Sequence, residues 1–203
     1  MTKIKLCGLT RMCDIEQANS LLPEYIGFVF APGSRRYVMP EKAYELRKAL
    51  CPDISAVGVF VNGPPESIAV LLEQDIIDIA QLHGSEDDAY IRRIRTMTDK
   101  PIIKAFRIDG EQDIAAAESS IADYVLLDSG AGGTGTVFDW SLIRNINRPY
   151  FLAGGLDSCT VRAAVLQLSP YAVDVSSGIE TAGVKDPNKM KEFVHTVRSV
   201  SFQ

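Results

Sequence analysis

Eight short apolar runs rich in β-branched or aromatic residues recur about every 22 to 29 residues along the chain, each followed by a polar or glycine-rich break and then a helical pattern. That rhythm is βα repetition, and it leaves few folds open. The runs are Ile4–Cys7, Tyr25–Phe30, Ile54–Phe60, Ile77–Leu82, Ile102–Phe106, Tyr124–Leu127, Tyr150–Ala153 and Ala172–Val175. Between them lie amphipathic stretches. In Pro40–Leu50 the residues Ala43, Leu46 and Leu50 form one apolar stripe, and the leading proline suits a first helical turn. Pro64–Leu72 and Glu86–Ile94 repeat the scheme, with early acidic residues that complement the helix dipole. The crossovers are therefore expected to be helices.

Near-continuous apolar strands joined by right-handed helical crossovers form a parallel sheet, either open and doubly wound or closed. Eight units select the closed α/β form, a (β/α)8 or TIM barrel, as a single domain over residues 1–203. Barrels of this kind usually take about 250 residues, so 203 residues imply short bottom loops and little decoration. No Gly/Ser/Pro linker or low-complexity stretch divides the chain, and the repeat is one of structure, without an obvious sequence duplication.

Composition narrows the function. The net charge of −5, with both signs interspersed, offers no basic stripe for nucleic acid or an anionic membrane. The N-terminus, Met1-Thr2-Lys3-Ile4-Lys5-Leu6, is too short and too charged for a signal-peptide core, and no window approaches about 20 apolar residues, so a cytoplasmic protein is expected. The four cysteines, Cys7, Cys13, Cys51 and Cys159, lack CxxC spacing and are read as free thiols. With two histidines, His83 and His195, far apart in sequence, no metal site is expected.

Barrel active sites lie at the C-terminal ends of the strands, so the polar residues that end each run become the candidates. Gly154-Gly155 after the seventh run and Ser176-Ser177-Gly178 after the eighth let backbone N–H groups approach a phosphate, which implies a phosphorylated small-molecule ligand; the other reading is tight βα turns alone. Gly132-Gly133-Thr134-Gly135, after the sixth run, reads as a lid or as a plain flexible loop. Cys7 ends the first strand facing the mouth, a catalytic position, whereas a structural cysteine is usually a small buried hydrophobe in mid-element. Cys13, Cys51 and Cys159 are assigned to packing. Asp128 closes the sixth run, where an apolar rim would raise its pKa toward acid catalysis; it also suits a cap on the following turn. Arg36 offers a fork for a ligand carboxylate or a solvated partner of Arg35. His83 is either a ligand donor or a loop support, and His195, on a C-terminal amphipathic helix, is not catalytic. The roles of Asp174 and Glu180, in and just after the eighth run, are left open by the residues alone.

Seven motifs, read in order, carry a resemblance: Lys5-Leu6-Cys7-Gly8-Leu9-Thr10; Phe30-Ala31-Pro32-Gly33-Ser34-Arg35-Arg36; Gln81-Leu82-His83-Gly84; Leu127-Asp128-Ser129; Gly132-Gly133-Thr134-Gly135 with Phe138-Asp139-Trp140; Leu152-Ala153-Gly154-Gly155-Leu156; and Asp174-Val175-Ser176-Ser177-Gly178-Ile179-Glu180. Their order and content resemble the phosphoribosylanthranilate isomerase family, from residue 3 to about residue 189. Leu6 stands where isoleucine or valine is common, and the lid continues as Thr136-Val137, without the family's lysine. Neither departure touches the expected chemistry.

The resemblance implies an Amadori rearrangement in tryptophan biosynthesis, with Cys7 as general base and Asp128 as general acid. It further implies that Arg36, His83, Gly133, Gly154, Gly155, Asp174, Ser176, Ser177 and Gly178 bind substrate, and that no cofactor takes part. Functional coupling to indole-glycerol-phosphate synthase, not fused to this domain, belongs to the same expectation. The oligomeric state is left between a monomer and a homodimer, because no surplus apolar stripe stands out. Two rival readings are a dual-substrate isomerase that also serves histidine biosynthesis and a non-catalytic phosphosugar-binding barrel. The first needs a second phosphate site in the first half of the barrel. The exit Val61-Asn62-Gly63-Pro64-Pro65 argues against one, because its two prolines lack N–H donors.

Overall fold

The computed structural model describes residues 1–128, 140–143 and 146–200. Eight parallel strands close into a barrel in chain order: β1 (Lys3–Cys7), β2 (Tyr25–Val29), β3 (Ser55–Phe60), β4 (Ile79–Leu82), β5 (Ile102–Arg107), β6 (Tyr124–Asp128), β7 (Tyr150–Ala153) and β8 (Ala172–Val175). Closure is made by β1 against β8, where Lys3 pairs with Ala172 and Lys5 with Asp174. The helices are α1 (Met12–Leu21), α2 (Pro40–Ala49), α3 (Pro65–Glu73), α4 (Asp88–Arg95), α5 (Glu111–Ser119), α6 (Val161–Leu168) and α7 (Pro187–Arg198). A two-residue hairpin, β9 (Glu180–Thr181) with β10 (Val184–Lys185), follows β8.

All eight expected strands form, with shifts of one or two residues at their ends. Ile54 and Ile77 are buried core residues that stand just before their strands, each held in a turn: the Ile54 N–H donates to Cys51 O and the Ile77 N–H to Leu71 O. Between β6 and β7 the described residues hold a 3-10 turn, Trp140–Ile143. Residues 129–139 and 144–145 of that crossover lie outside the described residues, and with them the expected lid and Gly133.

Alternation along each strand splits the apolar residues into two cores. Outward residues such as Ile4, Leu6, Ile26, Phe28, Leu82, Leu127 and Val173 pack with the helices. Inward residues Tyr25, Val57, Ile79, Ile103, Leu126, Phe151 and Ala172 fill the barrel. Helix starts are set locally. Asp87 accepts from the Tyr90 N–H ahead of α4, and Asp186 accepts from the Asn188 and Lys189 N–H groups ahead of α7, where Pro187 takes the first helical position. The packing role expected of three cysteines holds for Cys51, which packs against the outer core, and fails for Cys13 and Cys159. Both are exposed, Cys13 on α1 and Cys159 in the turn before α6.

Candidate active site

The C-terminal mouth of the barrel holds a cavity of about 420 Å³. Cys7, Arg36, Gln81, His83, Asp128, Gly154, Gly155, Asp174, Ser176 and Ser177 all line it, and with Val59 seven strands or their following loops converge on one space. Val29 and Val59 pack with Cys7 at its apolar floor. Gly27, opposite Cys7 in the β1–β2 register, makes room for the thiol: a Cβ there would come within 2.7 Å of Sγ. Gly178 does not line the cavity. It sits where the β7 and β8 loops touch, and a Cβ would stand 2.0 Å from the Leu156 carbonyl oxygen, so only glycine lets the two loops meet.

Lys5 lies two residues before Cys7 on the same inward face, fully buried, its Nζ 2.9 Å from Asp174 Oδ1. Burial pulls the Lys5 ammonium down, yet Asp174 and Cys7 outweigh it and hold the group above the ordinary lysine value. At Cys7 burial is the largest influence and pushes the thiol up; Lys5 and Lys185 pull it back and Asp174 opposes them, leaving it raised. The Ser176 hydroxyl donates to the Cys7 carbonyl oxygen at 3.2 Å, tying β8 to the end of β1.

Arg36 is presented by the β2–α2 loop and held from behind by Glu180. Its Nε donates to Oε1 at 2.6 Å and one terminal nitrogen donates to Oε2 at 2.9 Å, a bidentate fork that fixes the guanidinium plane. Arg35 reaches the same Oε2 at 2.9 Å, and Lys185 Nζ reaches Oε1 at 2.7 Å. Burial raises the Glu180 carboxyl, but Arg36 and Lys185 bring it below the usual glutamate range. Burial depresses Lys185, although Glu180 and Cys7 favour its charge. Lys185 also donates to Ser176 O at 2.8 Å, so one buried ammonium links the arginine clamp to the β8 loop.

Across the mouth, His83 Nε2 is 3.4 Å from Asp128 Oδ2, and His83 Nδ1 is 2.9 Å from Gln81 Nε2. Gln81 is buried, and its Oε1 is the single buried side-chain oxygen or nitrogen without a partner among the described residues. Below this pair, Glu86 accepts from the Asn62 N–H at 2.7 Å and the Gly84 N–H at 2.8 Å. Lys104 Nζ meets both Glu86 Oε2, at 3.2 Å, and Gly84 O, at 2.7 Å. This buried pair pins the β4 exit that carries His83.

Of the residues expected from sequence, Cys7, Asp128, Arg36, His83, Gly154, Gly155, Asp174, Ser176 and Ser177 come together, Gly178 stands behind them, and Gly133 lies outside the described residues. Sequence reasoning placed Lys5 and Gln81 in motifs without giving them a role, and missed Glu86, Lys104 and Lys185. For Lys5 a signal existed: a lysine between Ile4 and Leu6 breaks an apolar strand at an inward position. Lys185, in a two-residue strand, offered none. Among the described residues no three His, Cys, Asp or Glu side chains stand together as metal ligands, and no helix is long and apolar enough to cross a membrane.

Three comparisons bear on this geometry. Residues 4–196 match the family model described as N-(5′-phosphoribosyl)anthranilate (PRA) isomerase. The N-(5′-phosphoribosyl)anthranilate isomerase of Endomicrobium trichonymphae is 44% identical over 204 residues, spanning 98% of this chain and all of that one. The crystal structure of phosphoribosyl anthranilate isomerase from Thermotoga maritima superposes with a TM-score of 0.88 at 36% identity, covering 98% of this chain and 100% of the other. A further structure of such an isomerase, in complex with reduced 1-(o-carboxyphenylamino)-1-deoxyribulose 5-phosphate, gives 0.86 at 35% identity, with 98% and 100% covered.

Proposed function

This chain belongs to the N-(5′-phosphoribosyl)anthranilate isomerase family, enzymes of tryptophan biosynthesis, and on that premise we propose that Cys7 and Asp128 are the base and acid of its Amadori rearrangement. The observation that carries the assignment is that one cavity is lined by both groups, delivered by β1 and β6 from different sides of the barrel. Asp128 protonates the furanose ring oxygen of N-(5′-phosphoribosyl)anthranilate. The C1–O bond breaks, leaving a hydroxyl on the sugar and an iminium between C1 and the anthranilate nitrogen. The Cys7 thiolate removes the proton from C2, and the electron pair moves into a C1–C2 double bond as the iminium is neutralised to an enolamine. A proton added at C1 and one lost from the 2-hydroxyl give the ketone, 1-(2-carboxyphenylamino)-1-deoxyribulose 5-phosphate. The net change is an isomerisation, and the iminium supplies the acidity at C2.

Each remaining contact has a task in this reading. Arg36, its plane set by Glu180, takes the anthranilate carboxylate on its free edge. Backbone N–H groups at Gly154, Gly155, Ser176, Ser177 and Gly178 hold the phosphate between the two loops that Gly178 lets meet. His83, backed by Gln81, orients Asp128 and thereby serves as a support. Glu180 braces the arginine clamp, and Asp174 is the partner of Lys5. Gly133, in the expected lid, completes the substrate-binding set. For the dual-substrate rival, the Asn62 N–H is already bound to Glu86 and Pro64 and Pro65 have none, which leaves the first half of the barrel poor in phosphate donors.

The test is the fluorescence decay of freshly made phosphoribosylanthranilate with the unaltered protein, Cys7→Ala and Asp128→Ala, with indole-glycerol-phosphate synthase removing product. Rapid turnover, cut by several orders of magnitude in each variant, is expected. Unimpaired turnover in either variant removes that residue from its role. No turnover by the unaltered protein would bring the phosphosugar-binding reading forward.

A further inference from the structure

A wholly buried lysine stands in the barrel on the same strand as the proposed base. Lys5 and Cys7 occupy successive inward positions of β1, and Asp174 is the register partner of Lys5 on β8. Cys7 and Asp174 both line the cavity, whereas Lys5 is wholly excluded from solvent. A lysine head carries three donors; Lys5 Nζ donates to Asp174 Oδ1 at 2.9 Å, and the Cys7 thiol beside it also favours its charge. Around the thiol the packing is aliphatic, from Val29 and Val59, an environment in which an unpaired thiolate is heavily disfavoured.

We propose that Lys5 is a positioning residue for the base: its ammonium, shared between Asp174 and Cys7, is the counter-ion that lets the Cys7 thiolate exist inside the barrel. The inference rests on the reading of Cys7 as the base. Among the described residues Arg36, His83 and Asp128 share the cavity with the thiol, and the charges that act on it most strongly are three. Lys5 comes from its own strand, Asp174 from β8 and Lys185 from β10, the last already bound to Glu180. Lys5 and Lys185 favour the thiolate and Asp174 opposes it. Asp174 therefore has two opposed effects. It keeps Lys5 charged and in place, and it competes with Cys7 for the same cation.

This arrangement requires substitutions at the two partners to act in opposite directions. The experiment is the pH dependence of iodoacetamide alkylation at Cys7 in the full chain without substrate. Mass spectrometry of the Cys7 peptide excludes signal from the exposed Cys13 and Cys159, and circular dichroism checks the fold. In Lys5→Met the alkylation midpoint is expected to rise by about one pH unit or more, the effect of losing an adjacent opposite charge. In Asp174→Asn, which keeps an acceptor for Lys5, it is expected to fall. An unchanged or lowered midpoint in Lys5→Met overturns the proposal. Should Lys5→Met fail to fold because Asp174 is left buried and unpaired, the Asp174→Asn arm decides, and a midpoint that stays or rises there overturns it. Turnover plays no part in the readout, so a failure of the isomerase reading appears only in the fluorescence assay and a failure of this one only here.

Discussion

The two ends of the barrel are built from the same eight strands and do opposite things with their inward residues. At the N-terminal end, Tyr25, Tyr124, Phe151 and Tyr171 pack their rings against one another with centroids 5.2 to 5.8 Å apart, and Lys3 lies over Tyr171 with its Nζ 2.7 Å from the hydroxyl. At the C-terminal end Cys7, Gln81, Asp128 and Asp174 face inward above Val29 and Val59, around a cavity. Large aromatic rings fill a closing barrel and bury much apolar surface, which stabilises. Short polar groups leave space and must be paired, so the mouth depends on Glu180, Lys185, Lys5 and the Glu86–Lys104 pair standing behind the lining. The plug holds the barrel shut; the mouth is held open by ions.

Substitutions at the two ends should therefore separate activity from stability. The largest effect is expected from Cys7→Ala: turnover falls by several orders of magnitude while the melting temperature stays within a few degrees, because a small side chain at the cavity edge carries little of the packing. A large loss of stability in that variant would break the contrast. At the other pole, Phe151→Ala empties a fully buried ring site and is expected to cost about 3–5 kcal/mol in denaturant unfolding, with kcat/KM of the folded fraction little changed. Impaired kcat/KM there would mean that the plug also shapes the site.

Glu180→Gln tests the charges behind the mouth. It releases the Arg36 plane and is expected to raise KM by roughly tenfold, about 1.4 kcal/mol, with a smaller change in kcat. The variant also has a pH signature. The Glu180 carboxyl is held low in the folded state by Arg36 and Lys185. Its stabilisation is therefore present above the ordinary glutamate value of about 4.3 and is lost as pH falls through the lower folded value. Between those two values the unfolded chain binds the extra proton, so stability drops with acidification. Acid titrations of unfolding should show a shallower fall in Glu180→Gln. The smallest effect is expected at the plug from Tyr171→Phe, which removes the hydroxyl shared with Lys3 and Tyr25 at about 0.5–1.5 kcal/mol, leaves the rings stacked and leaves turnover unaltered.

Much of this molecule was legible before its structure. Strand and helix signals are local, and each βα unit carries its own apolar run closed by a polar or glycine-rich break, so all eight strands stood within a residue or two of their places. The ends slipped where a turn borrowed an apolar residue, as at Ile54 and Ile77. Cys7, Asp128 and the glycine-rich loops were readable because barrel chemistry collects where strands stop, and a polar residue closing an apolar run is visible in one dimension. Arg36 was readable as a fork; that its plane is set by Glu180 was not, because the partner lies 144 residues away.

The sequence by itself determined the βα rhythm, the number of strands and the polar residues that crown them, since all of these follow from periodicity and from the order of residue types along a few turns of chain. The tertiary structure alone decided which charges meet. Closing β8 onto β1 in one register brought Asp174 to Lys5, the hairpin after β8 carried Lys185 to Glu180 and Ser176, and β5 supplied Lys104 to Glu86. Such pairs are made by closure of the barrel, and charge acts through space at distances that periodicity does not record. A lysine in an apolar strand announces that a partner must exist, and only the folded chain says which carboxylate it is.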